Sequence, residues 1–175
     1  MNIAIVGATG NVGRKILEVL EKKRLPLDNL YLVASSKSAG KKIYFRGKDI
    51  EVSELENFDF SKVRIAFFAA GGKISEKFVE KAARHCLVID NSSFFRMDPD
   101  VPLIVPQVNS NALNNIKKNI IANPNCSTAQ LVIALKPLHD LFVIKRIVIS
   151  TYQSVSGAGK ASMDELIKQT KLALD

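Results

Sequence analysis

IAIVGATGNVGRKILEVLEKK (residues 3–23) decides the fold, because it joins a short apolar run to an amphipathic segment through three glycines. The run IAIV predicts a buried strand, and residues 14–23 carry apolar side chains at helical spacing. Gly7, Gly10 and Gly13 lie between them. Glycines there allow a tight turn, close approach of the backbone to a pyrophosphate and close packing of the helix on the strand. The stretch predicts a dinucleotide-binding loop; the alternative is a tight strand–helix turn that binds no ligand.

The rest of the chain alternates in the same way. Apolar segments of strand length are followed by segments with helical spacing, and no repeat or low-complexity tract interrupts them. Strands are predicted at 30–34, 63–70, 87–90, 119–123 and 144–151, a hairpin at 41–52, and further helices at 75–85, 127–139 and 160–175. This alternation predicts an α/β fold, with a Rossmann-like doubly wound and mostly parallel sheet covered by helices on both faces.

The composition is that of a folded protein. Of the 175 residues, 47% are apolar and 24% are charged, and no apolar run approaches the length of a membrane span. The formal net charge is +8, but the basic residues are spread singly or in pairs, so neither nucleic acid nor a membrane is expected as a partner. The two cysteines and two histidines lack metal-ligand spacing. We therefore expect a soluble, cytoplasmic protein without a metal or a disulfide framework.

The loop after the second predicted strand bears on the choice of nucleotide. A site for NAD normally presents Asp or Glu at the end of this strand, where it binds the ribose 2′-hydroxyl. Here the strand runs into ASSKSAGKK (34–42), which has no acid but offers serine hydroxyls and a lysine to a phosphate. Ser36, Lys37 and Ser38 therefore favour NADP over NAD. The alternative is a surface loop rich in lysine and serine.

Cys126 lies in NPNCSTAQLVIAL (123–135), where a proline-containing turn meets a predicted amphipathic helix. Pro124 disfavours helix in the preceding residue, and Asn125 is of a type that caps helix N-termini. A thiol at a helix N-terminus feels the positive end of the helix dipole, which favours the reactive thiolate. Cys86, at the start of an apolar strand, is expected to be buried and inert. From the residues alone, Cys126 is equally well a nucleophile or a core residue.

Five stretches, in one order along the chain, carry a family resemblance. They are GATGNVG (7–13), ASSKSAGK (34–41), DNSSFFRMDPDVPLIVPQVN (90–109), NPNCSTAQL (123–131) and STYQSVSGAGKASMDEL (150–166). Together they closely resemble aspartate-semialdehyde dehydrogenase, which interconverts aspartyl phosphate and aspartate semialdehyde. The resemblance extends over nearly the whole chain. It implies an NADP-binding Rossmann-like domain at 1–125 and the start of an α+β catalytic and dimerisation domain at 126–175.

The resemblance implies the catalytic roles. Cys126 is the expected nucleophile, whose thiolate adds to the aldehyde; hydride then passes to NADP, and phosphate cleaves the resulting thioester. Asn125 is expected to help position the reacting group, and Gln153 to orient the substrate beside the cysteine. Arg96 is expected to hold the phosphate or acyl phosphate. The substrates implied are aspartyl phosphate, aspartate semialdehyde and inorganic phosphate.

The resemblance also implies which residues contact NADP. At its phosphates we expect Thr9, Gly10, Asn11, Val12 and Gly13. At the 2′-phosphate we expect Ser36, Lys37 and Ser38. On the nicotinamide side we expect Ala70 and Gly71, with Ser156 and Gly157 near the same end.

Part of the family pattern is not found in this sequence. Family members are roughly twice as long, in keeping with a two-domain enzyme. Neither their histidine general acid/base nor the arginine that binds the substrate carboxylate can be located, because His85 and His139 do not match the family motif. We therefore expect a truncated chain with little or no dehydrogenase turnover, and the family's homodimer is left open for it.

Two other functions remain as alternatives. N-acetyl-gamma-glutamyl-phosphate reductase is similar in its glycine loop, its cysteine and its chemistry. It is expected to have a proline-glycine-cysteine-tyrosine pattern around the cysteine, where this chain has PNCST (124–128). The second alternative is a non-catalytic NADP-binding fragment.

Overall fold

A seven-stranded sheet forms the centre of the computed structural model, which describes residues 1–174. Its strands are β1 (Ile3–Val6), β2 (Leu30–Ala34), β3 (Lys42–Phe45), β4 (Lys48–Glu54), β5 (Ile65–Phe68), β6 (Leu87–Asp90) and β7 (Ile120–Ala122). They occur in the order β3-β4-β2-β1-β5-β6-β7, and every neighbouring pair is parallel except the β3–β4 hairpin. The predicted α/β class and the doubly wound, mostly parallel, Rossmann-like sheet are confirmed.

Helices connect and flank the strands. They are α1 (Asn11–Lys22), α2 (Gly72–Ala83), α3 (Pro106–Asn109), α4 (Cys126–Phe142) and α5 (Lys160–Leu174). The chain divides into two compact units, Met1–Phe142 and Val143–Asp175. The first unit contains the whole sheet, and the second contains α5. Within residues 1–174, no helix is both long and apolar enough to cross a membrane.

The centre of the sheet is buried because helices cover both of its faces. Successive side chains of β1 point to opposite faces. Ile5 packs in one cluster with Leu17 and Leu20 of α1. Val6 packs in a second cluster with Val79 of α2. Burial of each such side chain stabilises the fold by about 1.5–3 kcal/mol, so α1 and α2 hold β1 firmly between them.

Most predicted elements are confirmed, and one is wrong. The first five predicted strands, the hairpin and the four helices all occur, with ends that shift by a few residues. Residues 144–151 were expected to form a strong strand but are irregular. β-branched residues favour a strand only where a neighbour pairs with it, and none of the seven described strands does so. Val148 is 79% exposed as a result. Asp175, at the end of the last predicted helix, lies outside the described residues.

Candidate active site

A cleft of about 450 Å³ opens at the carboxyl edge of the sheet. It lies where the strand order reverses, with β2 on one side of β1 and β5 on the other. The loops that continue from these strands diverge there, and doubly wound proteins bind their ligands in the resulting crevice. The cleft is lined by Val6, Gly7, Thr9, Gly10, Ala34, Ser35, Ser36, Glu54, Leu55, Glu56, Ala69, Ala70, Ile74 and Phe78.

The loop between β1 and α1 requires glycine at two positions. Gly7 has a φ of +85°, and a Cβ there would lie 2.6 Å from the carbonyl oxygen of Ala69. A Cβ on Gly13 would overlap the carbonyl oxygen of Gly7, so only glycine lets α1 pack this closely on the turn. Gly10 caps α1 without a side-chain hydrogen bond. The loop therefore brings bare backbone and the positive end of a helix to the cleft, which suits a pyrophosphate.

The loop after β2 lies beside the glycine loop. Residues Ser36–Ser38 form one 3₁₀ turn. Ser36 lines the cleft, and Thr9 Oγ1 donates a hydrogen bond to Ser38 Oγ at 3.5 Å. Lys37 is exposed on the same turn. The structure thus brings together Thr9 and Gly10 with the residues expected at a 2′-phosphate.

Two carboxylates in the cleft were missed by the sequence analysis. β4 pairs with β2 so that Glu54 lies opposite Ala34, and both residues line the cleft. Glu54 Oε2 accepts a hydrogen bond from Asn57 Nδ2 at 3.0 Å. Glu56 forms an ion pair of 2.6 Å with Lys77 of α2. The sequence offered one signal for Glu54, the predicted hairpin at 41–52. Its second strand, β4, pairs with β2, so the end of β4 lies beside the start of the serine loop.

The end of β5 provides another wall of the cleft. Ala70 lines it, and Gly71 comes next with a φ of +87° at the cap of α2. On the first turn of α1, Asn11 and Val12 are exposed beside Gly10. Ala70, Gly71, Asn11 and Val12 therefore all lie at the carboxyl end of the sheet.

Cys126 is the first residue of α4 and is exposed. Asn125 Oδ1 accepts a hydrogen bond from the main-chain N–H of Ser127 at 2.9 Å, which confirms Asn125 as the capping residue. The Cys126 thiol donates a long contact of 3.9 Å to the same oxygen. Because β7 ends at Ala122, the thiol lies just beyond the carboxyl end of the sheet, where it is open to a substrate.

Unlike Cys126, Cys86 is buried. It is 6% exposed, and its thiol donates to the carbonyl oxygen of Ala82 at 3.4 Å. Burial raises the pKa of the Cys86 thiol to about 11. The expectation of a buried thiol at this position is confirmed, and its low reactivity stays a prediction.

Arg96 is half-buried in the loop after β6. Its Nε donates to the carbonyl oxygen of Asn123 at 2.9 Å, and its Nη2 donates to that of Asn91 at 3.2 Å. A guanidinium has five N–H groups, so the contacts within residues 1–174 leave several of them for an anion. The side chain is anchored at one side and has donors left at the other, which suits phosphate.

Gln153, Ser156 and Gly157 belong to the second compact unit. They are exposed, and Gly157 closes a turn by donating its N–H to the carbonyl oxygen of Ser154 at 3.0 Å. A Cβ on Gly157 would overlap the side-chain amide of Gln153, so glycine is needed for this amide to fold back on the turn. Both histidines, His85 and His139, are exposed, as expected. Among the residues that the structure describes, no cluster of His, Cys, Asp and Glu could hold a metal ion.

The glycine-loop cleft at the strand-order reversal is typical of a dinucleotide-binding α/β domain, and an exposed cysteine lies at the start of α4 at the same end of the sheet. Comparison with known families agrees. The description "Semialdehyde dehydrogenase, NAD binding domain" matches residues 2–116, and "Semialdehyde dehydrogenase, dimerisation domain" matches residues 135–175. The chain belongs to the semialdehyde dehydrogenase family.

Similar proteins carry more specific names. The chain is 53% identical over 172 residues to an aspartate-semialdehyde dehydrogenase of Rickettsia bellii, covering 97% of this chain and 51% of that protein. It is 52% identical to the crystal structure of aspartate semialdehyde dehydrogenase II from Vibrio cholerae, complexed with ASA (TM-score 0.95; 99% of this chain and 52% of that one). A Candida albicans aspartate semialdehyde dehydrogenase, solved with NADP, is 29% identical (TM-score 0.65; 82% and 48%). The chain spans about half the length of the curated relatives that it matches.

Proposed function

We propose that this chain is the cofactor-binding part and the nucleophile of an NADP-dependent aspartate-semialdehyde dehydrogenase. The proposed reaction is the reductive dephosphorylation of L-aspartyl 4-phosphate to L-aspartate 4-semialdehyde, a step in the synthesis of amino acids derived from aspartate. The observation that carries the proposal is the exposed Cys126 thiol at the start of α4, on the sheet edge that also holds the glycine-loop cleft. The Rickettsia and Vibrio relatives support it by name.

The chemistry would proceed through a covalent bond to the protein. The Cys126 thiolate attacks the acyl phosphate carbonyl, and the bond from that carbon to the phosphate oxygen breaks. Inorganic phosphate departs, and the acyl group stays on Cys126 as a thioester. NADPH, when bound in the cleft, would supply the hydride that reduces this thioester. The thiohemiacetal oxyanion on Cys126 then collapses, which releases the aldehyde and restores the thiolate. The N–H groups at the start of α4 favour the negative charge on the reacting oxygen.

Other side chains would bind and orient the substrate. Arg96 is already anchored through Nε and Nη2, so its remaining N–H groups can bind the phosphate. Asn125 holds the first turn of α4 and thereby positions the thiol and the group that reacts with it. We assign orientation of the substrate to Gln153, on the strength of the sequence pattern around it.

The cleft fits a dinucleotide phosphate. Glycine at positions 7 and 13 allows a tight turn where a Cβ would overlap the main chain, and Thr9 to Gly13 would bind the pyrophosphate. Ser36, Lys37 and Ser38 would bind the 2′-phosphate, which supports NADP. Ala70 and Gly71 would lie along the nicotinamide, and we assign Ser156 and Gly157 to the same end. The Candida albicans relative was solved with NADP.

The same proposal extends to organisation and assembly. We place the cofactor domain at 1–125 and the start of the catalytic domain at 126–175, so that the nucleophile opens the second domain. The match of residues 135–175 to a dimerisation domain supports a homodimer. The use of NADP and of a free thiol suits the cytoplasm, where thiols stay reduced.

Acyl transfer to Cys126 tests the proposal directly. The 175-residue chain is mixed with L-aspartyl 4-phosphate, quenched in acid and examined by intact-protein and peptide mass spectrometry. We expect one aspartyl group on Cys126, removable by hydroxylamine, and none in Cys126→Ala. Cys86→Ala is the matched control and should acylate like the parent chain. Acylation that persists in Cys126→Ala, or its absence from the parent chain, would contradict the proposal.

A further inference from the structure

We propose that Asn91 is a positioning residue: its side-chain amide ties together the carboxyl ends of β5, β6 and β7 and so holds the Arg96 guanidinium in place. The hydrogen bonds around it carry this inference. The identity of the anion that Arg96 binds, phosphate, rests on the proposed function above.

The Asn91 amide uses both of its ends. Nδ2 donates to the carbonyl oxygen of Phe68, the last residue of β5, at 3.1 Å. Oδ1 accepts from Nδ2 of Asn123, which comes directly after β7, at 2.9 Å. Asn91 itself comes directly after β6, and its main-chain N–H also donates to the Phe68 oxygen at 2.9 Å. One side chain therefore joins three neighbouring strand ends.

Arg96 depends on the two residues that this amide joins. Nε donates to the carbonyl oxygen of Asn123, and Nη2 donates to the carbonyl oxygen of Asn91. The guanidinium is planar and rigid, so both bonds persist only while these two oxygens keep their separation. The Asn91–Asn123 amide bond holds that separation together with the main-chain bond from the Asn123 N–H to the Asp90 oxygen. If the amide bond were lost, the two oxygens could shift relative to each other, which would weaken one of the two anchors of Arg96.

The base of this arrangement is buried and fixed. Asp90, the last residue of β6, is fully buried. Its Oδ1 accepts from Ser75 Oγ of α2 at 2.7 Å and from the Ser92 N–H at 3.1 Å, and its Oδ2 accepts from Ser92 Oγ at 2.7 Å. Its carbonyl oxygen accepts from the Asn123 N–H at 2.8 Å. Asn91 therefore follows a strand end whose last residue, Asp90, is held by four hydrogen bonds.

The three strand ends lead to three parts of the proposed reaction. β5 leads to Ala70 and the nicotinamide side, β6 leads to Arg96, and β7 leads to Cys126. Asparagine suits the junction because it offers a donor to Phe68 and an acceptor to Asn123 at once, whereas a carboxylate offers only acceptors.

The chain contains a matched control for Asn91. Asn2 makes the same pair of bonds at the amino end of the sheet. Its Nδ2 donates to the carbonyl oxygen of Lys62 at 2.8 Å, and its Oδ1 accepts from Asn29 Nδ2 at 3.1 Å. It joins the amino ends of β1, β2 and β5, far along the strands from Arg96. Asn91→Ala and Asn2→Ala therefore remove equivalent amide bonds without adding charge.

The test is carried out on the ¹⁵N-labelled 175-residue chain by NMR. The Nε–H signal of Arg96 is assigned with Arg96→Lys, and its exchange with water is measured before and after titration with inorganic phosphate. In Asn91→Ala we expect exchange to speed up and the phosphate dissociation constant to rise, each by about tenfold, as for one lost charge-assisted hydrogen bond. Asn2→Ala should change neither quantity.

A folded Asn91→Ala whose Nε–H exchange and phosphate affinity stay within about twofold of the parent chain would overturn the inference. So would an equal effect in Asn2→Ala. If phosphate fails to shift the Arg96 signal of the parent chain, the phosphate role in the proposed function is wrong, and the exchange rates alone then decide whether Asn91 positions Arg96. If Asn91→Ala does not fold, Asn123→Ala, compared with Asn29→Ala, decides by the same measurements.

Discussion

The two cysteines predict a large contrast in reactivity toward a thiol reagent. Cys126 is exposed at the start of α4, whereas Cys86 is 6% exposed beneath α2. We expect iodoacetamide at pH 7 to modify Cys126 more than about a hundredfold faster than Cys86, and also faster than a free thiol such as N-acetylcysteine.

The expected difference in rate arises from the burial of Cys86 and the exposure of Cys126. Burial raises the pKa of Cys86 from 9.0 to about 11, so at pH 7 its thiolate fraction is about one hundredth of the ordinary value. Restricted access slows it further. Cys126 is exposed, and the N–H groups at the start of α4 favour negative charge that develops beside it, so we expect it to react faster than a free thiol.

The assay measures the loss of each thiol by peptide mass spectrometry in the parent chain, Cys86→Ser and Cys126→Ser. The rapid phase should persist in Cys86→Ser and disappear in Cys126→Ser. Asn125→Ala adds a test of the helix start, because it removes the cap that holds the Ser127 N–H; we expect a slower reaction at Cys126.

Two results would refute this reasoning. If Cys126 reacts no faster than N-acetylcysteine, the start of α4 does not activate the thiol, and exposure alone explains its labelling. If Cys86 reacts within about tenfold of Cys126, the strand that it opens must separate from α2 often enough to expose it, and its pKa in the closed structure would not govern the rate.

Three further predictions concern the cleft and the core. Gly13→Ala should abolish detectable NADP binding in calorimetric titration, because its Cβ would overlap the turn, whereas Gly72→Ala, which meets open space, should bind normally. Glu54→Gln should tighten NADP binding by about twofold to tenfold and change NAD binding less, since it removes a negative charge near the expected 2′-phosphate. Glu51→Gln, on an exposed part of β4, is the control. An equal gain in NAD affinity would contradict the reasoning. Because the pKa of Cys86 is raised to about 11, its contribution to stability is present below pH 9 and is lost as pH rises toward 11. Over this pH range the free energy of unfolding in urea should therefore fall by about 2 kcal/mol more in the parent chain than in Cys86→Ala. If the two chains lose stability in parallel, this thiol does not contribute.

The sequence predicted the elements whose signal is local. Apolar runs of strand length in β1, β2, β5 and β6 all pair as expected, because a parallel sheet buries both faces of such strands. The glycine spacing in residues 7–13 predicted the turn, since Gly7 and Gly13 are needed for contacts made within the same strand–turn–helix unit. Cys86 was recognised as a core residue for the same local reason.

Features that depend on neighbouring strands were harder to predict. Glu54 shares the cleft with Ser36 only because β4 pairs in parallel with β2, a contact between segments about twenty residues apart. The acid-free loop after β2 therefore gave an incomplete picture of the charge in the cleft. Residues 144–151 show the reverse error: their composition favours a strand, but strand formation needs a partner that no described strand provides.

The two asparagine pairs show why a hydrogen-bond pattern alone does not identify a functional residue. Asn91 with Asn123 and Asn2 with Asn29 make the same amide contacts, each bracing three strands of one sheet. The two pairs differ in the segments that lie next to them. Parallel strands send all their carboxyl ends to one edge, and there the chain continues into the glycine loop, Arg96 and the start of α4. A brace at that edge fixes the distances between reacting groups, whereas the same brace at the amino edge fixes only the fold, so a functional consequence is expected from Asn91 and not from Asn2.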